Sequence, residues 1–282
     1  MHPRFSQFPR DLAQRSHTTR FGDIPVLLAH PDWQNSEPTP TANPAPTVLW
    51  LHGRTANKEL DPGRYLRWVR AGISACAIDL PGHGERALPE YDSPAHTLDV
   101  LEQALAEVDI IIEHLASPQF HNAFNLDKLA IGGMSLGGMV TLRRLCSPHP
   151  FKCAAVESTA GWLSGLYLPE TPHVGIPKPF PHPPERIKQL DPLLHLVDKS
   201  GSWKPIPLLA LHSQADQLIP FAVQQHFITR LREYYQQRGV GPSIIELVSW
   251  PETGAPLEHS GFGRMSNEAK NVQVEFLRKW LG

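Results

Sequence analysis

The sequence of 282 residues contains little cysteine, little net charge and no long apolar run. Its three cysteines, Cys76, Cys146 and Cys153, are an odd number and form no C-x-x-C pair. We therefore expect buried free thiols and no disulfide framework, which suits a reducing compartment. Lys and Arg together number 26 against 28 Asp and Glu, and this balance argues against nucleic acid or an anionic membrane as the main partner.

No apolar stretch approaches the ~18 residues that are needed to span a bilayer. The first residues are followed by polar ones without an apolar h-region, so no signal peptide is predicted. The 15 histidines are scattered and form no metal-type cluster. We therefore expect a soluble cytoplasmic protein that uses neither metal nor cofactor, while the sequence leaves the oligomeric state open.

Strand-like and helix-like segments alternate along most of the chain. Two short extended runs within residues 18–30 predict an antiparallel hairpin at a sheet edge. Continuous apolar runs predict strands that are buried on both faces, at residues 47–51, 73–80, 126–132, 153–156, 207–213 and 243–250. Helix-like segments lie between and after them, at residues 61–71, 97–115, 136–145, 220–237 and 267–281. This alternation predicts one doubly wound α/β domain over residues 1–282, with a mainly parallel sheet.

Residues 161–200 interrupt this alternation and are rich in proline. A helix-like piece over residues 185–197 contains Pro192, which must kink or split it. Because insertions of this kind after a strand usually cover a site, we predict a lid. Trp162 and Tyr167 within it are candidates for substrate contact, although aromatic residues in a lid are as often simple packing.

The pattern Gly133-x-Ser135-x-Gly137 lies between the strand predicted over residues 126–132 and the helix predicted over residues 136–145. This is the context of a nucleophile elbow, where a serine occupies a strained turn and small neighbours let strand and helix approach closely. Free N–H groups at the start of the helix suit a developing oxyanion. The alternative is a chance match to so short a pattern. Suitable catalytic partners further along the chain would favour the nucleophile elbow.

The turn around Gly53 and Arg54 follows an internal strand, and glycine there allows a close approach of the backbone. We predict that the N–H groups of Arg54 and Leu136 form an oxyanion hole. An ordinary β-to-α turn would also explain Gly53. The Arg54 guanidinium is either a contact for an acidic or polar substrate group or a solvated side chain.

Asp216 lies in a loop directly after the strand predicted over residues 207–213, where it can orient a histidine and stabilise its cationic form. Asp191 and Asp198 are rivals, but they lie in the proline-rich insertion and do not follow a sheet strand. Asp79 follows an earlier strand and would break the order of serine, aspartate and histidine. Asp216 is therefore the favoured acid.

His259 lies in the loop between the last predicted strand and the last predicted helix, and it is the candidate general base. His226 also follows Asp216 but falls inside a predicted helix. A solvated loop histidine is the alternative interpretation of His259. The three candidates thus follow one another along the chain as nucleophile, acid and base.

Two other patterns are interpreted as structural. Asp79 and His83 would suit a metal site, but no third ligand is evident and a turn leading away from a strand explains both. The glycines within residues 132–138 lack the lysine of a P-loop and the spacing of a dinucleotide-binding fingerprint.

With these residues the chain resembles the α/β-hydrolase superfamily, most closely bacterial carboxylesterases related to dienelactone hydrolases and to the catalytic domain of prolyl oligopeptidases. The resemblance covers roughly residues 18–282. The motifs that carry it are Leu51-His52-Gly53-Arg54, Asp79-Leu80-Pro81-Gly82-His83-Gly84, Gly133-Met134-Ser135-Leu136-Gly137-Gly138, His212-Ser213-Gln214-Ala215-Asp216 and Glu258-His259. It implies an α/β-hydrolase fold, which is an eight-stranded sheet with an antiparallel second strand and a lid after the sixth strand.

This resemblance also implies a serine hydrolase that cleaves small-molecule carboxylic esters through an acyl-enzyme. Ser135 would be the nucleophile, His259 the base and Asp216 the acid. Dienelactone hydrolases carry cysteine at the position of Ser135 and epoxide hydrolases carry aspartate, so serine favours ester hydrolysis. A peptidase or acyltransferase with the same machinery and a non-catalytic binding module are the alternatives.

Overall fold

The computed structural model describes residues 8–41, 43–169, 178–197 and 202–282. The strands of its sheet are β1 (Ser16–Phe21), β2 (Ile24–Ala29), β3 (Ala45–Leu51), β4 (Ser74–Ile78), β5 (Phe124–Met134), β6 (Cys153–Glu157), β7 (Leu208–Ser213) and β8 (Ile245–Trp250). The α-helices of these ranges are α1 (Arg10–Gln14), α2 (Pro62–Arg70), α3 (Thr97–Leu115), α4 (Leu136–Arg144), α5 (Leu163–Tyr167), α6 (Pro184–Leu190), α7 (Pro192–Val197), α8 (Phe221–Gln237) and α9 (Ser266–Leu281). None of the helices in these ranges is both long and apolar enough to cross a membrane.

The eight strands form one sheet in the order β1-β2-β4-β3-β5-β6-β7-β8. Strand β2 runs antiparallel to both β1 and β4, and the other neighbouring strands are parallel. The hairpin of β1 and β2 turns at Gly22, whose φ of +59° is a conformation that glycine adopts without strain. The predicted fold class, an eight-stranded and mainly parallel sheet with an antiparallel second strand, is therefore confirmed.

Hydrophobic side chains cover both faces of the sheet, as the continuous apolar runs predict. In β3, Leu49 and Leu51 belong to one hydrophobic cluster, whereas Val48 and Trp50 belong to another. The first cluster includes residues of α3, α4 and α8, and the second includes residues of α1, α2 and α9. Because both faces are covered, the carboxyl ends of the parallel strands are where loops can build a site.

The three cysteines are buried and form no disulfide, as predicted. Burial raises the pKa of the Cys146 and Cys153 thiols to about 12, and it also raises the pKa of Cys76. The thiols therefore stay protonated at neutral pH and have the character of core residues.

The connection between β6 and β7 contains three short helices, α5, α6 and α7. Pro192 splits the predicted helix into α6 and α7, since proline cannot donate the backbone hydrogen bond of a continuous helix. Asp191 at this junction is buried and accepts hydrogen bonds from the N–H groups of Ser164 at 2.7 Å and Leu193 at 3.0 Å. Asp191, the alternative candidate to Asp216, therefore links α5 to α7.

Only part of the predicted lid falls within the described residues. Residues 170–177 and 198–200, which include Asp198, lie outside the described residues. The covering role of residues 161–200 and the assignment of residues 1–282 to one domain stay predictions.

Candidate active site

Ser135 lies between the end of β5 and the start of α4 in a backbone conformation that non-glycine residues rarely adopt. Its φ is 52° and its ψ is -116°. The neighbouring glycines are required by the space available. A Cβ on Gly133 would lie 2.4 Å from the carbonyl carbon of Gly137, and a Cβ on Gly137 would lie 2.1 Å from the carbonyl oxygen of Leu51. The turn therefore has the shape of a nucleophile elbow.

Backbone hydrogen bonds hold this turn in place. The N–H of Ser135 donates to the carbonyl oxygen of Glu157, at the end of β6, at 2.8 Å. The carbonyl oxygen of Ser135 accepts from the Thr159 hydroxyl at 2.7 Å and from the N–H of Met139 at 3.0 Å. These bonds occupy the polar backbone atoms of Ser135, so the side-chain hydroxyl is the group available for chemistry.

The structure brings Ser135, Asp216 and His259 together from three separate loops at the carboxyl ends of β5, β7 and β8. His259 Nε2 lies 2.9 Å from Ser135 Oγ, and His259 Nδ1 lies 2.8 Å from Asp216 Oδ2. Because an ionised carboxylate only accepts hydrogen bonds, Nδ1 carries the hydrogen and Nε2 can accept the hydroxyl proton of Ser135. Both Asp216 and His259 are buried. This arrangement can activate a hydroxyl as a nucleophile.

The carboxylate of Asp216 is fixed by its own loop. Its Oδ1 accepts hydrogen bonds from the N–H groups of Leu218 at 2.8 Å and Ile219 at 2.9 Å. Buried His212 donates from Nε2 to the carbonyl oxygen of Ile219 at 2.9 Å, and burial lowers the pKa of its imidazole. Asp216 is therefore held in one orientation, with Oδ2 directed to His259.

Glu258 holds the loop that carries His259, and no motif in the sequence points to this role. Its carboxylate accepts hydrogen bonds from Ser213 Oγ at 2.8 Å, the Thr253 N–H at 2.6 Å, Thr253 Oγ1 at 2.8 Å and the Gly254 N–H at 2.6 Å. Desolvation raises the pKa of Glu258, but the hydrogen bonds from Thr253, Ser213 and Gly254 outweigh it and lower the pKa to about 2. The ionised carboxylate thus ties the loop after β8 to the end of β7.

Gly53 and Arg54 lie beside the candidate nucleophile, as the predicted oxyanion hole requires. A Cβ on Gly53 would lie 3.4 Å from the Cβ of Ser135. Arg54, Leu136 and Ser135 line one shared cavity. The guanidinium of Arg54 donates to the backbone carbonyl oxygen of Asp92. The proximity is compatible with the predicted roles of the Arg54 and Leu136 N–H groups, which stay a prediction.

His52 is a buried support for the turn at Gly53. Its Nδ1 donates to the carbonyl oxygen of Gly53 at 2.6 Å, and its Nε2 accepts from the N–H of Leu80 at 2.9 Å. Burial lowers the pKa of His52 to about 4, so its imidazole is neutral at neutral pH. A neutral ring is what this pair of hydrogen bonds requires, because one nitrogen donates and the other accepts.

Asp79 is also structural, as its surroundings demonstrate. Its carboxylate accepts from the buried Lys58 ammonium at 2.7 Å, from the Lys58 N–H at 2.9 Å and from the Glu85 N–H at 2.9 Å. A Cβ on Gly84 would lie 2.1 Å from this carboxylate, which explains glycine at that position. His83 Nδ1 donates to the carbonyl oxygen of Pro81 at 2.7 Å. Asp79 and His83 therefore shape the loop after β4.

Two cavities meet at Ser135 and His259. The first, which we call the lid-side cavity, has a volume of about 210 Å³ and is walled in part by Leu166 and Phe180 from the segment between β6 and β7. The second, which we call the loop-side cavity, has a volume of about 690 Å³ and is lined by residues of the loop after β3, of α2 and of the His259 loop.

The two aromatic candidates for substrate contact differ in position. Tyr167 lines the lid-side cavity together with Ser135, and burial raises the pKa of its phenol to about 12. The ring of Trp162 packs against His226 of α8, with centroids 4.4 Å apart, and does not occur among the described residues that line either cavity. A role of Trp162 in substrate contact stays a prediction.

Comparison with known proteins relates this sequence to a family. A sequence profile described as the alpha/beta hydrolase family matches residues 48–260. The curated protein "Esterase YjfP" of Escherichia coli (strain K12) is 26% identical over 92% of this chain and 96% of its own length.

Two solved structures illustrate the likeness of fold. TT1662 from Thermus thermophilus has a TM-score of 0.62 at 22% identity, with 95% of this chain and 98% of that chain covered. An acylaminoacyl peptidase of Pyrococcus horikoshii has a TM-score of 0.70 at 16% identity, with 98% of this chain but only 43% of that chain covered. At these identities the two structures establish a likeness of fold.

Proposed function

The chain belongs to the alpha/beta hydrolase family, and from this premise we propose that it is a serine esterase that cleaves carboxylic esters through an acyl-enzyme intermediate. The observation that carries the proposal is the hydrogen-bonded series from Ser135 Oγ through His259 to Asp216, with distances of 2.9 and 2.8 Å. The esterase name of the Escherichia coli relative supports esters as the substrate class.

In the first half-reaction, Ser135 Oγ attacks the acyl carbonyl carbon while His259 Nε2 takes the hydroxyl proton. The negative charge of Asp216 stabilises the imidazolium that forms. The N–H groups of Arg54 and Leu136 donate to the oxyanion of the tetrahedral intermediate. The C–O bond to the alcohol then breaks, and His259 returns the proton to the departing alkoxide.

In the second half-reaction, water replaces the alcohol. His259 takes a proton from the water molecule, which attacks the acyl carbonyl carbon and forms a second tetrahedral intermediate. The bond between the acyl carbon and Ser135 Oγ then breaks, His259 returns its proton to Ser135 Oγ, and the carboxylic acid is released. The cycle consumes one water and needs no redox partner.

The test is hydrolysis of p-nitrophenyl acetate by Ser135→Ala. We expect kcat to fall by roughly 10⁴-fold or more with the melting temperature nearly unchanged, because the nucleophile is lost and the fold is not. Ser243→Ala, at an exposed serine before β8, is the matched control and should retain full activity. Near-normal turnover by Ser135→Ala would refute the proposal.

Peptidase and acyltransferase chemistry would use the same three side chains. The fold likeness to the acylaminoacyl peptidase favours a peptidase as the second candidate. Matched ester and amide substrates with the same acyl group separate the two, since the esterase proposal expects the ester to be cleaved far faster than the amide. A non-catalytic binding module would cleave neither.

A further inference from the structure

The two cavities at Ser135 are walled by different parts of the chain. Leu166, Tyr167 and Phe180, all from the segment between β6 and β7, line the lid-side cavity. The described lining of the loop-side cavity includes no residue of that segment. Arg54, Leu218 and His259 line both cavities together with Ser135, and the remaining lining residues differ. A substrate that reacts at Ser135 can therefore place its two halves in different surroundings.

The lid-side cavity is small, and apolar side chains form more of its wall than polar ones, although Arg54 and Lys178 also line it. Its apolar lining residues include Leu136 and Met139 of α4, Ile219 of the loop after β7, and Leu166 and Phe180 of the lid segment. Its volume of about 210 Å³ suits a short hydrocarbon chain. Such walls favour an apolar group because its burial removes hydrocarbon surface from water.

The loop-side cavity has a polar wall in which the charges balance. Buried Arg64 makes a bidentate ion pair with Glu157, with nitrogen–oxygen distances of 2.6 and 2.8 Å. Asp61 lies 3.0 Å from the ammonium of Lys270 and 3.2 Å from the guanidinium of Arg64. In this part of the wall two cations face two carboxylates, so their charges balance. Arg54 also lines the cavity, and its guanidinium donates to the carbonyl oxygen of Asp92.

Hydrogen-bond donors in the same cavity remain available to a ligand. The Lys270 ammonium donates to Asp61 and to Ser266, each at 3.0 Å, and so keeps a third N–H. The amide oxygen of Asn57 accepts from the Glu59 N–H at 3.0 Å, while its NH₂ group has no partner among the described residues. Neutral oxygen acceptors, such as hydroxyl groups, match this combination.

The position of the catalytic base decides which half of the substrate lies on this side. His259 must return a proton to the departing alkoxide, so the alcohol has to lie against the His259 loop. His259 lines both cavities, but the next two residues of its loop, Ser260 and Gly261, line only the loop-side cavity. The acyl chain then lies in the lid-side cavity.

We propose that the protein is selective for esters of short apolar acyl groups with a neutral, hydroxylated alcohol, and that Lys270 and Phe180 determine the two preferences separately. This inference rests on the proposed esterase function and names its substrate class. Three exposed leucines, Leu60, Leu218 and Leu257, also line the loop-side cavity and would favour a plain alkyl alcohol instead. The experiment must therefore compare the two kinds of alcohol.

The first experiment measures kcat/KM for glycerol monoacetate and for n-propyl acetate, which share the acyl group and the length of the alcohol. We expect the wild type to prefer the glycerol ester. Lys270→Met should lower this preference about fivefold, as expected for one lost hydrogen bond, and Lys270→Arg should keep most of it. Lys279→Met is the matched control, because Lys279 also lies on α9 and pairs with a carboxylate, Glu246, at 3.5 Å.

The second experiment measures kcat/KM for p-nitrophenyl esters from acetate to decanoate. We expect a preference for short chains, and Phe180→Ala should shift the optimum to longer chains because it enlarges the lid-side cavity. Leu194→Ala is the matched control, since Leu194 and Phe180 are both 39% exposed in the lid segment. Neither Phe180→Ala nor Leu194→Ala should change the preference between the two alcohols.

Three results would overturn the inference. One is a preference for n-propyl acetate, which would mean that Leu60, Leu218 and Leu257 determine the preference for the alcohol. Another is a preference for glycerol monoacetate that Lys270→Met leaves unchanged. The third is an exchange of roles, in which Phe180→Ala alters alcohol selectivity and Lys270→Met alters chain-length selectivity. The esterase proposal itself would survive all of these, because it fails only if no ester is hydrolysed in a manner that depends on Ser135.

Discussion

Ser135 and Glu258 both have a positive φ, of 52° and 51°, which is unfavourable for residues with a Cβ. A conformation of this kind costs on the order of 1–3 kcal/mol and persists only where the surroundings enforce it. At Ser135 the backbone hydrogen bonds to Glu157, Thr159 and Met139 enforce it. At Glu258 the side chain itself does so, through four accepted hydrogen bonds.

Glu258→Gln should slow the reaction without weakening substrate binding. The new amide NH₂ would face a hydrogen-bond donor, so the loop would move and displace His259. A displacement of about 1 Å is enough to lower kcat by about 10- to 100-fold, and KM should change little. The measurement is steady-state hydrolysis of p-nitrophenyl acetate, with Glu252→Gln, at an exposed glutamate of the same loop, as the control. Unchanged kcat in Glu258→Gln would contradict the positioning role.

The low pKa of Glu258 also predicts how stability depends on acid. Its folded pKa of about 2 lies below the ordinary value of 4.5, so the ionised carboxylate stabilises the fold at any pH above 4.5. This contribution is lost as the pH falls from 4.5 towards 2. Denaturant unfolding should therefore give a stability gap between wild type and Glu258→Gln that is largest near neutral pH and narrows in this acid range. A difference in stability between wild type and Glu258→Gln that widens as the pH falls through this range would contradict the prediction.

At the scale of elements, the turn from β5 into α4 is limited by contact between backbone atoms. A side chain at Gly133 would collide with the carbonyl group of Gly137, and backbone cannot move aside as a flexible side chain can. Strand and helix must therefore approach through glycine. The same contact determines where the hydroxyl of Ser135 emerges.

Gly133→Ala should be among the most damaging single substitutions in the chain. We expect a loss of stability of about 3 kcal/mol or more, or failure to fold, because overpacking here has no route for relief. Gly241→Ala is the matched control, since its Cβ would meet only the Ser243 hydroxyl at 3.8 Å. Thermal unfolding of both variants checks the prediction, and similar melting temperatures would contradict it.

The elements were predictable because their signals are local. Apolar runs such as residues 47–51 and the spacing within residues 97–115 report burial directly, and the structure has β3 and α3 there. The proximity of Ser135, Asp216 and His259 was predictable because each follows a strand, and their catalytic roles stay a prediction. Glu258 was not, because its partner Ser213 lies on another strand and no local pattern records that contact.

The contacts of Trp162 and the lining of the two cavities also could not be predicted from the local sequence. Trp162 packs against His226 of α8, a residue far along the chain, so its own neighbours could not tell packing from substrate contact. The loop-side cavity is built from the loop after β3, from α2, from α9 and from the His259 loop. Its polar wall appears only when these elements are placed side by side.

At the scale of the whole molecule, one buried ion pair connects the elements behind Ser135. Arg64 on α2 pairs with Glu157 at the end of β6, and it also donates to Gln273 on α9 at 2.7 Å. Its guanidinium lies 4.1 Å from the ring centroid of Trp50 on β3. The carboxylates of Glu157 and Asp61 raise the pKa of Arg64, against the opposing effect of burial. Arg64 therefore stays charged at the centre of these four elements.

Arg64→Met should destabilise the protein by roughly 3–5 kcal/mol, because it leaves the carboxylate of Glu157 buried without its partner. Adding Glu157→Met should recover part of the loss, since a buried ion pair contributes little net stability when both partners are replaced by apolar groups. Arg67→Met, on the same helix but with exposed partners, should cost less than about 1 kcal/mol. Chemical denaturation of the three variants tests this, and a double variant that is less stable than Arg64→Met would contradict it.

The proposed esterase activity depends on Ser135 being a nucleophile that His259 activates. The most direct measurement is reaction of the intact protein with a fluorophosphonate, followed by peptide mass spectrometry to find the modified residue. We predict one adduct per chain, on Ser135, with labelling strongly slowed in His259→Ala and ester hydrolysis lost in proportion to labelling. Ester hydrolysis that continues while Ser135 stays unmodified, or an adduct on another residue that accompanies inactivation, would contradict the account.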